Sequence, residues 1–149
     1  MESSARPPRL GAIDVGTNSI RLVVAEADST ASYRVLDEER AQTRLGEGLY
    51  GPGTLGAEPM RRSLEALGQK RAIAEGMGVE EIRAIATAAV READNGQEFL
   101  RAAREDHGVA IEVISEDEEA RLAFRSIRKH FPLVDTPTAI VDIGGGSLE

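Results

Sequence analysis

Two stretches of this chain share nearly one design, and together they limit how it can fold. Asp14-Val15-Gly16-Thr17-Asn18-Ser19 lies near the start and Asp142-Ile143-Gly144-Gly145-Gly146-Ser147 near the end. Each follows a short apolar run that reads as a buried strand. Each is therefore a strand, an acidic residue at its end, and a tight turn of small residues with open backbone N–H groups. Such a turn cradles phosphate oxygens. Hairpin turns favour small residues too, but the copied Asp-x-Gly-x-x-Ser pattern favours the phosphate reading. Two such loops imply two related lobes closing on a phosphate-rich ligand, with the second lobe only beginning where the chain stops.

Composition narrows the alternatives. A chain of 149 residues is long enough for one domain, which buries roughly 70% of the surface its unfolded form exposes. Apolar residues make up 41% but aromatics only 3%, with no tryptophan, so the core must be aliphatic. The formal charge of -8 argues against general nucleic-acid binding, which rests on a basic field, so any polyanionic ligand needs locally placed cations. Without cysteine there is no disulfide, thiolate nucleophile or Cys-ligated zinc, which fits a reducing compartment. His107 and His130 stand apart from other ligand-type residues and read as surface histidines. Met1 to Pro8 is polar and lacks the apolar region of a signal peptide. No apolar stretch approaches the ~20 residues of a membrane helix. A cytoplasmic protein with neither membrane nor nucleic-acid partner is the expectation.

Along the chain, Leu10 to Asp14 and Ile20 to Ala25 read as an antiparallel hairpin, with Tyr33 to Arg40 as a third strand. Gly46 to Pro59, with five glycines and two prolines, reads as a long irregular loop. A helix is expected from about Glu58 to Gly76, with Met60, Leu64, Leu67 and Ala74 inward and Lys70 on its polar side. Ile82 to Ala86 is a strand, Thr87-Ala88-Ala89 a turn, Ala93 to His107 a helix stopped by Gly108, and Ile111 to Ile114 a strand. Ser115 and Glu118 fit a capping box opening a helix whose Ala120, Ala123, Phe124 and Ile127 face a core. Pro132 and Pro137 mark a linker, and Thr138 to Asp142 a last strand. Three antiparallel strands extended by two crossover strands give one mixed sheet flanked by helices.

Five blocks carry a family resemblance: Gly11 to Leu22, Arg44 to Leu49, Ala86 to Asn95, Glu118 to Leu122, and Asp142 to Ser147. In this order they resemble the exopolyphosphatase and guanosine pentaphosphate phosphatase (Ppx/GppA) family of the actin-like superfamily. The resemblance implies an α/β, actin-like (ribonuclease H-like) lobe with a mixed five-stranded sheet. It divides the chain into a tail at 1–9, a first lobe at 10–131, and a linker, strand and phosphate loop of a second lobe at 132–149. It also implies Mg²⁺-dependent removal of terminal phosphoryl groups from polyphosphate or guanosine pentaphosphate, in a cleft between lobes, with this first lobe inactive alone. The chain departs from the family pattern at Glu116, where glycine is usual, and at Leu148, where threonine is common.

The resemblance assigns Glu119 as catalytic base; helix periodicity alone reads Glu116 to Glu119 as acids favoured by a helix dipole. Arg21 and Arg91 are the best phosphate ligands, since a guanidinium binds phosphate bidentately and stays charged, and Arg44 is a weaker one. Gly16, Thr17, Asn18 and Ser19, with Gly144, Gly145, Gly146 and Ser147, would supply N–H and hydroxyl donors. Asp14, Asp142 and Glu149 are candidates to hold Mg²⁺, although a terminal Leu-Glu is also a common cloning remnant. A binding module that senses a polyphosphorylated ligand without turnover, and a small-molecule kinase, remain open alternatives. An unpaired last strand predicts self-association, as a homodimer for example.

Overall fold

The computed structural model describes residues 7–28, 32–131 and 138–147. Three strands come first: β1 (Arg9–Val15), β2 (Ile20–Ala27) and β3 (Tyr33–Ala41). Then follow α1 (Ala57–Gly76), β4 (Glu81–Ala86), α2 (Ala88–Glu92), α3 (Gly96–His107), β5 (Ile111–Val113) and α4 (Glu116–His130). The strands form one sheet in the order β3-β2-β1-β4-β5. β1, β2 and β3 are mutually antiparallel, while β4 joins β1, and β5 joins β4, in parallel. This is the mixed sheet expected from the order of apolar runs, with a crossover helix before each parallel strand.

Alternation along β1 and β2 sorts the two faces of the sheet. Ile13, Val15, Ile20, Leu22 and Val24 point inward and are completely buried with Leu67 and Ala74 of α1 and Phe99 and Ala103 of α3. Phe99 is the largest of these side chains, in a core that is otherwise aliphatic. The opposite face carries Leu10, Ala12 and Asp14 of β1, which remain exposed. At the end of α3, Gly108 takes a left-handed conformation (φ 64°), and its N–H caps the Arg104 carbonyl.

Four details differ from the sequence reading. The helix expected over Ala93 to His107 starts only at Gly96, as α3, and a separate short helix, α2, begins directly after Thr87, where a turn was expected. The break comes at Asn95, whose side chain is spent on the Gly-rich loop, accepting from Leu55 N–H at 2.8 Å and donating to Leu55 O at 3.1 Å. Lys70, expected on the polar side of α1, is buried, with its stem in the core and its ammonium 3.2 Å from Glu39.

The apolar stripe of α4 is the third difference. Ser115 caps the helix as expected, accepting from Glu118 N–H at 3.2 Å. Yet no residue of α4 is buried, and Phe124 is 44% exposed. Ala120, Ala123 and Phe124 face a small recess of about 230 Å³ shared with Thr138 and Ile140. Lys129 near the far end of α4 lies 3.8 Å from the Tyr33 ring centre, while Leu122 shares a cavity of about 570 Å³ with β4 and β5. α4 therefore stands off the outer face of the sheet and is not packed into it. The fourth difference concerns Thr138 to Asp142, which form no ladder; a single bridge residue, Ile143, is all that follows. An apolar run becomes a strand only when it has a neighbour to pair with. The expected linker prolines and most of the expected tail lie outside the described residues.

The paired hydrogen bonds of Asn95 hold the loop that leads to the site. Asn95→Ala is expected to cost about 1–3 kcal/mol, since it leaves both Leu55 backbone groups without their partners. Urea denaturation with and without the substitution checks this.

Candidate active site

The loop between β1 and β2 is folded by its own backbone: Gly16 N–H donates to Ser19 O at 3.0 Å. The second loop repeats that bond, from Gly144 N–H to Ser147 O, also at 3.0 Å. The two copied sequences thus adopt the same local turn. They also touch. A Cβ added to Gly145 would collide with the Asn18 side chain, and one added to Gly146 would stand 2.6 Å from both the Thr17 hydroxyl and the Tyr50 hydroxyl. Glycine is required in the second loop by close approach, since neither Gly145 nor Gly146 has a positive φ.

Between the loops lies a polar recess of about 380 Å³. Gly16, Thr17, Asn18 and Ser19 line one side, and Gly144, Gly145 and Ser147 the other. Asp14, Asp142 and Glu119 also open into it. Gly146 does not line the recess, but its carbonyl accepts from the Tyr50 hydroxyl at 3.2 Å. Ten of the positions expected from sequence are therefore brought to one cavity.

The two expected arginine ligands stand beside this recess and are already engaged. Arg21 lies opposite Asp14 in the β1–β2 register, and its guanidinium is 3.3 Å from Glu38. Arg91, at the end of α2, donates to Ile114 O at 3.0 Å and to Glu119 Oε2 at 3.3 Å, with Glu116 3.6 Å away. Arg91 and Glu119 are each only 19% exposed at the side chain. Ser147 Oγ reaches the other oxygen of Glu119 at 3.5 Å. The arginine expected on phosphate therefore holds the expected base in place, and one of its buried nitrogens, Nη2, makes no hydrogen bond. Glu149 lies outside the described residues.

Sequence reasoning missed Arg40, Thr87 and Tyr50. Arg40, at the end of β3, lines the recess and donates from Nε to Ser19 Oγ at 3.2 Å. Antiparallel pairing opposite Arg21 puts it there, a register that only the structure shows. Thr87 lines the recess from the end of β4, its N–H bonded to Val15 O at 3.3 Å. Tyr50 sat in a loop read only for its glycines and prolines.

Asp14 and Asp142 meet across this cavity. Asp14 is reached by solvent, yet loss of hydration against the surrounding protein raises its carboxyl above the ordinary aspartate range. Arg21 opposes that shift, and the negative charge of Asp142 adds to it. Such a like-charge pair, with hard oxygen donors, is what a divalent cation relieves. Among the described residues no three His, Cys, Asp or Glu side chains form a metal cluster. Two carboxylates with phosphate and water completing the shell suit Mg²⁺ better than an all-protein cage.

The chain belongs to the Ppx/GppA phosphatase family, whose profile matches residues 22–149. Exopolyphosphatase 1 of Mycobacterium leprae is 33% identical over 141 residues, covering 95% of this chain and 42% of that protein. Exopolyphosphatase 1 of Mycobacterium tuberculosis is 31% identical over 141 residues, covering 95% and 41%. Among solved structures, an exopolyphosphatase from Cytophaga hutchinsonii superposes with a TM-score of 0.89 at 32% identity, over 94% of this chain and 45% of that one. The Aquifex aeolicus PPX-GPPA enzyme gives 0.82 at 29% identity, over 95% and 46%. The mixed sheet and its helices are thus the actin-like (ribonuclease H-like) lobe of this family. The chain spans about two fifths of the length of the curated relatives it matches.

Because folded Asp14 keeps its proton to higher pH than the unfolded chain does, it weakens the fold as pH rises through and above the ordinary aspartate range. Below that range the penalty is absent. Asp14→Asn is therefore expected to raise Tm by a few degrees at most at neutral pH, with the gain vanishing in acid. Thermal melts from about pH 3 to pH 8 test it.

Proposed function

We propose that this chain is the first of two lobes of an enzyme that hydrolyses the terminal phosphoryl group of inorganic polyphosphate or of guanosine pentaphosphate. The observation that carries this reading is the pair of identical Gly-to-Ser turns facing one another across a recess that contains Glu119. The names of the relatives, exopolyphosphatases, favour polyphosphate of the two substrates.

In this reading Glu119 accepts a proton from the attacking water while the phosphoanhydride bond breaks, releasing orthophosphate and a chain one phosphate shorter. Arg91 and Ser147 hold one oxygen each of its carboxylate, so the base meets the water in a fixed orientation. Backbone N–H groups and hydroxyls of the two loops stabilise charge gathering on the transferred phosphoryl oxygens. Arg40, already at Ser19, adds a cation to the same pocket. Asp14 and Asp142 would hold Mg²⁺, with Glu149 as a third candidate; when bound, that ion neutralises charge on the phosphate oxygens. The chain alone presents one lobe's share of these groups, so the complete activity belongs to the longer protein.

Phosphate release by the full-length protein, measured with polyphosphate and the pentaphosphate nucleotide in parallel, tests this. Glu119→Gln is expected to lower kcat by about 10²- to 10⁴-fold. Chelation of divalent ions should stop release, and added Mg²⁺ should restore it. Tight ligand binding by a wild-type protein that releases no phosphate would replace the enzyme with a sensor.

A further inference from the structure

Cations near the site divide into two kinds. Arg21, Arg62 and Lys70 are each bound to a glutamate, namely Glu38, Glu47 and Glu39. Arg40 and Arg44 are not: among the described residues neither has a carboxylate within ion-pair distance. In a chain of net charge -8, a guanidinium without a carboxylate keeps its charge open to an anionic ligand; Arg40 donates only to the neutral Ser19 hydroxyl among the described residues. Their placement is regular as well. Arg40, Gln42 and Arg44 are exposed, alternating with Ala41, Thr43 and Leu45, which turn inward, Thr43 and Leu45 being fully buried.

This row connects two recesses. Arg40 lines the cavity between the phosphate loops. Gln42 and Arg44 line a neighbouring polar recess of about 310 Å³ whose one carboxylate, Glu47, is already taken by Arg62 at 2.9 Å. The backbone there is unusual too. Arg44 has φ 49°, the sole non-glycine residue with positive φ among the described residues. A large side chain in the left-handed region is unfavourable, and such outliers gather at ligand clamps. The position is fixed by the N–H groups of Thr43 and Arg44, both donating to Asn18 O of the first phosphate loop.

We propose that Arg40, Gln42 and Arg44 form an outer anion subsite for the phosphates that trail behind the terminal one, so that the chain is built for a linear polyphosphate. The proposal rests on the reading that the inner recess takes a terminal phosphoryl group. A compact ligand occupies only the inner recess, whereas a long one leaves along the row and gains charge-assisted hydrogen bonds from each guanidinium.

Isothermal titration of the 149-residue chain with pyrophosphate and with long-chain polyphosphate tests it. Arg44→Gln should weaken long-chain binding roughly tenfold, as loss of one charged hydrogen-bonding contact implies. The affinity ratio of long chain to pyrophosphate should fall with it. Arg44→Gly keeps the left-handed turn and removes the charge, so it should show the same loss while the fold, monitored by thermal melting, is intact. Arg101→Gln with Arg104→Gln removes two exposed charges from α3 and should leave the ratio unchanged. An unchanged ratio in both Arg44 variants, or an equal fall in the α3 pair, overturns the subsite. So does a wild-type chain that binds no polyphosphate, because the subsite needs only these residues; the hydrolase reading is judged separately, by phosphate release.

Discussion

The carbonyl oxygen of Asn18 holds the site together. It accepts two hydrogen bonds, from Thr43 N–H at 3.1 Å and Arg44 N–H at 2.9 Å, and the adjacent Thr17 carbonyl accepts Gly46 N–H at 3.0 Å. In a trans peptide the C=O and the following N–H point in opposite directions. Tying these two carbonyls back to the segment after β3 therefore turns the N–H groups of Asn18 and Ser19 the other way. Neither donor has a protein acceptor among the described residues. An anion-binding concavity needs free donors held rigidly, and here the rigidity comes from a third strand whose continuation clamps the loop from behind.

The same clamp explains why the Gly-rich loop matters. Its residues continue directly from the clamping segment, and Tyr50 on it reaches over to the carbonyl of Gly146 in the second phosphate loop. Asn95 then fastens the loop's far end at Leu55. One connected set of side-chain and backbone hydrogen bonds thus runs from Asn95, just before α3, through the Gly-rich loop to the first phosphate loop, and through Tyr50 to the second. The absence of side chains at Gly145 and Gly146 permits the second loop to sit against Asn18 and Thr17. Two loops with identical turns are useful to a phosphate ligand only if they can approach it together, and this packing brings them to one cavity.

Where the sequence was readable, one local rule was enough. The apolar runs of the β1–β2 hairpin, Leu67 and Ala74 on the inner side of α1, and the Ser115 cap of α4 each report on neighbours a few residues away, and they stand in the structure as read, with Met60 and Leu64 only partly buried. The copied Asp-x-Gly-x-x-Ser sequence located the recess because the donors lie within the motif itself. Failures came where tertiary context decides. Arg91 looked like a free phosphate ligand until the α2 position brought it against Glu119 and Ile114. Arg40 could be placed beside Ser19 only by the antiparallel register of β3. Lys70 follows the same pattern: its long apolar stem suits the core, and Glu39 on β3 receives its charge. The stripe on α4 and the run from Thr138 to Asp142 are apolar enough for a core and a strand, but burial and pairing require partners that sequence periodicity cannot supply.

Charge pairing connects the acidic composition to the site. Most of the described arginines lie within ion-pair distance of a glutamate, on helix surfaces such as Arg61 with Glu58 and Glu65, or across strands such as Arg34 with Glu26. Exposed pairs of this kind contribute little to stability. Their larger effect is on the field: pairing cancels those charges, so the positive field that remains comes from guanidinium groups without a carboxylate, which among the described residues also include Arg101, Arg104, Arg125 and Arg128 away from the recess. Arg40 and Arg44 are such groups, and both lie beside the first phosphate loop. Arg91 follows the opposite logic. Its charge is directed to Glu119 in a half-closed environment, where water screens it less than at the surface. Arginine thus stands at this site in two ways, set by whether the fold supplies a glutamate within reach: paired, it fixes the orientation of a carboxylate; unpaired, it keeps its positive charge uncompensated.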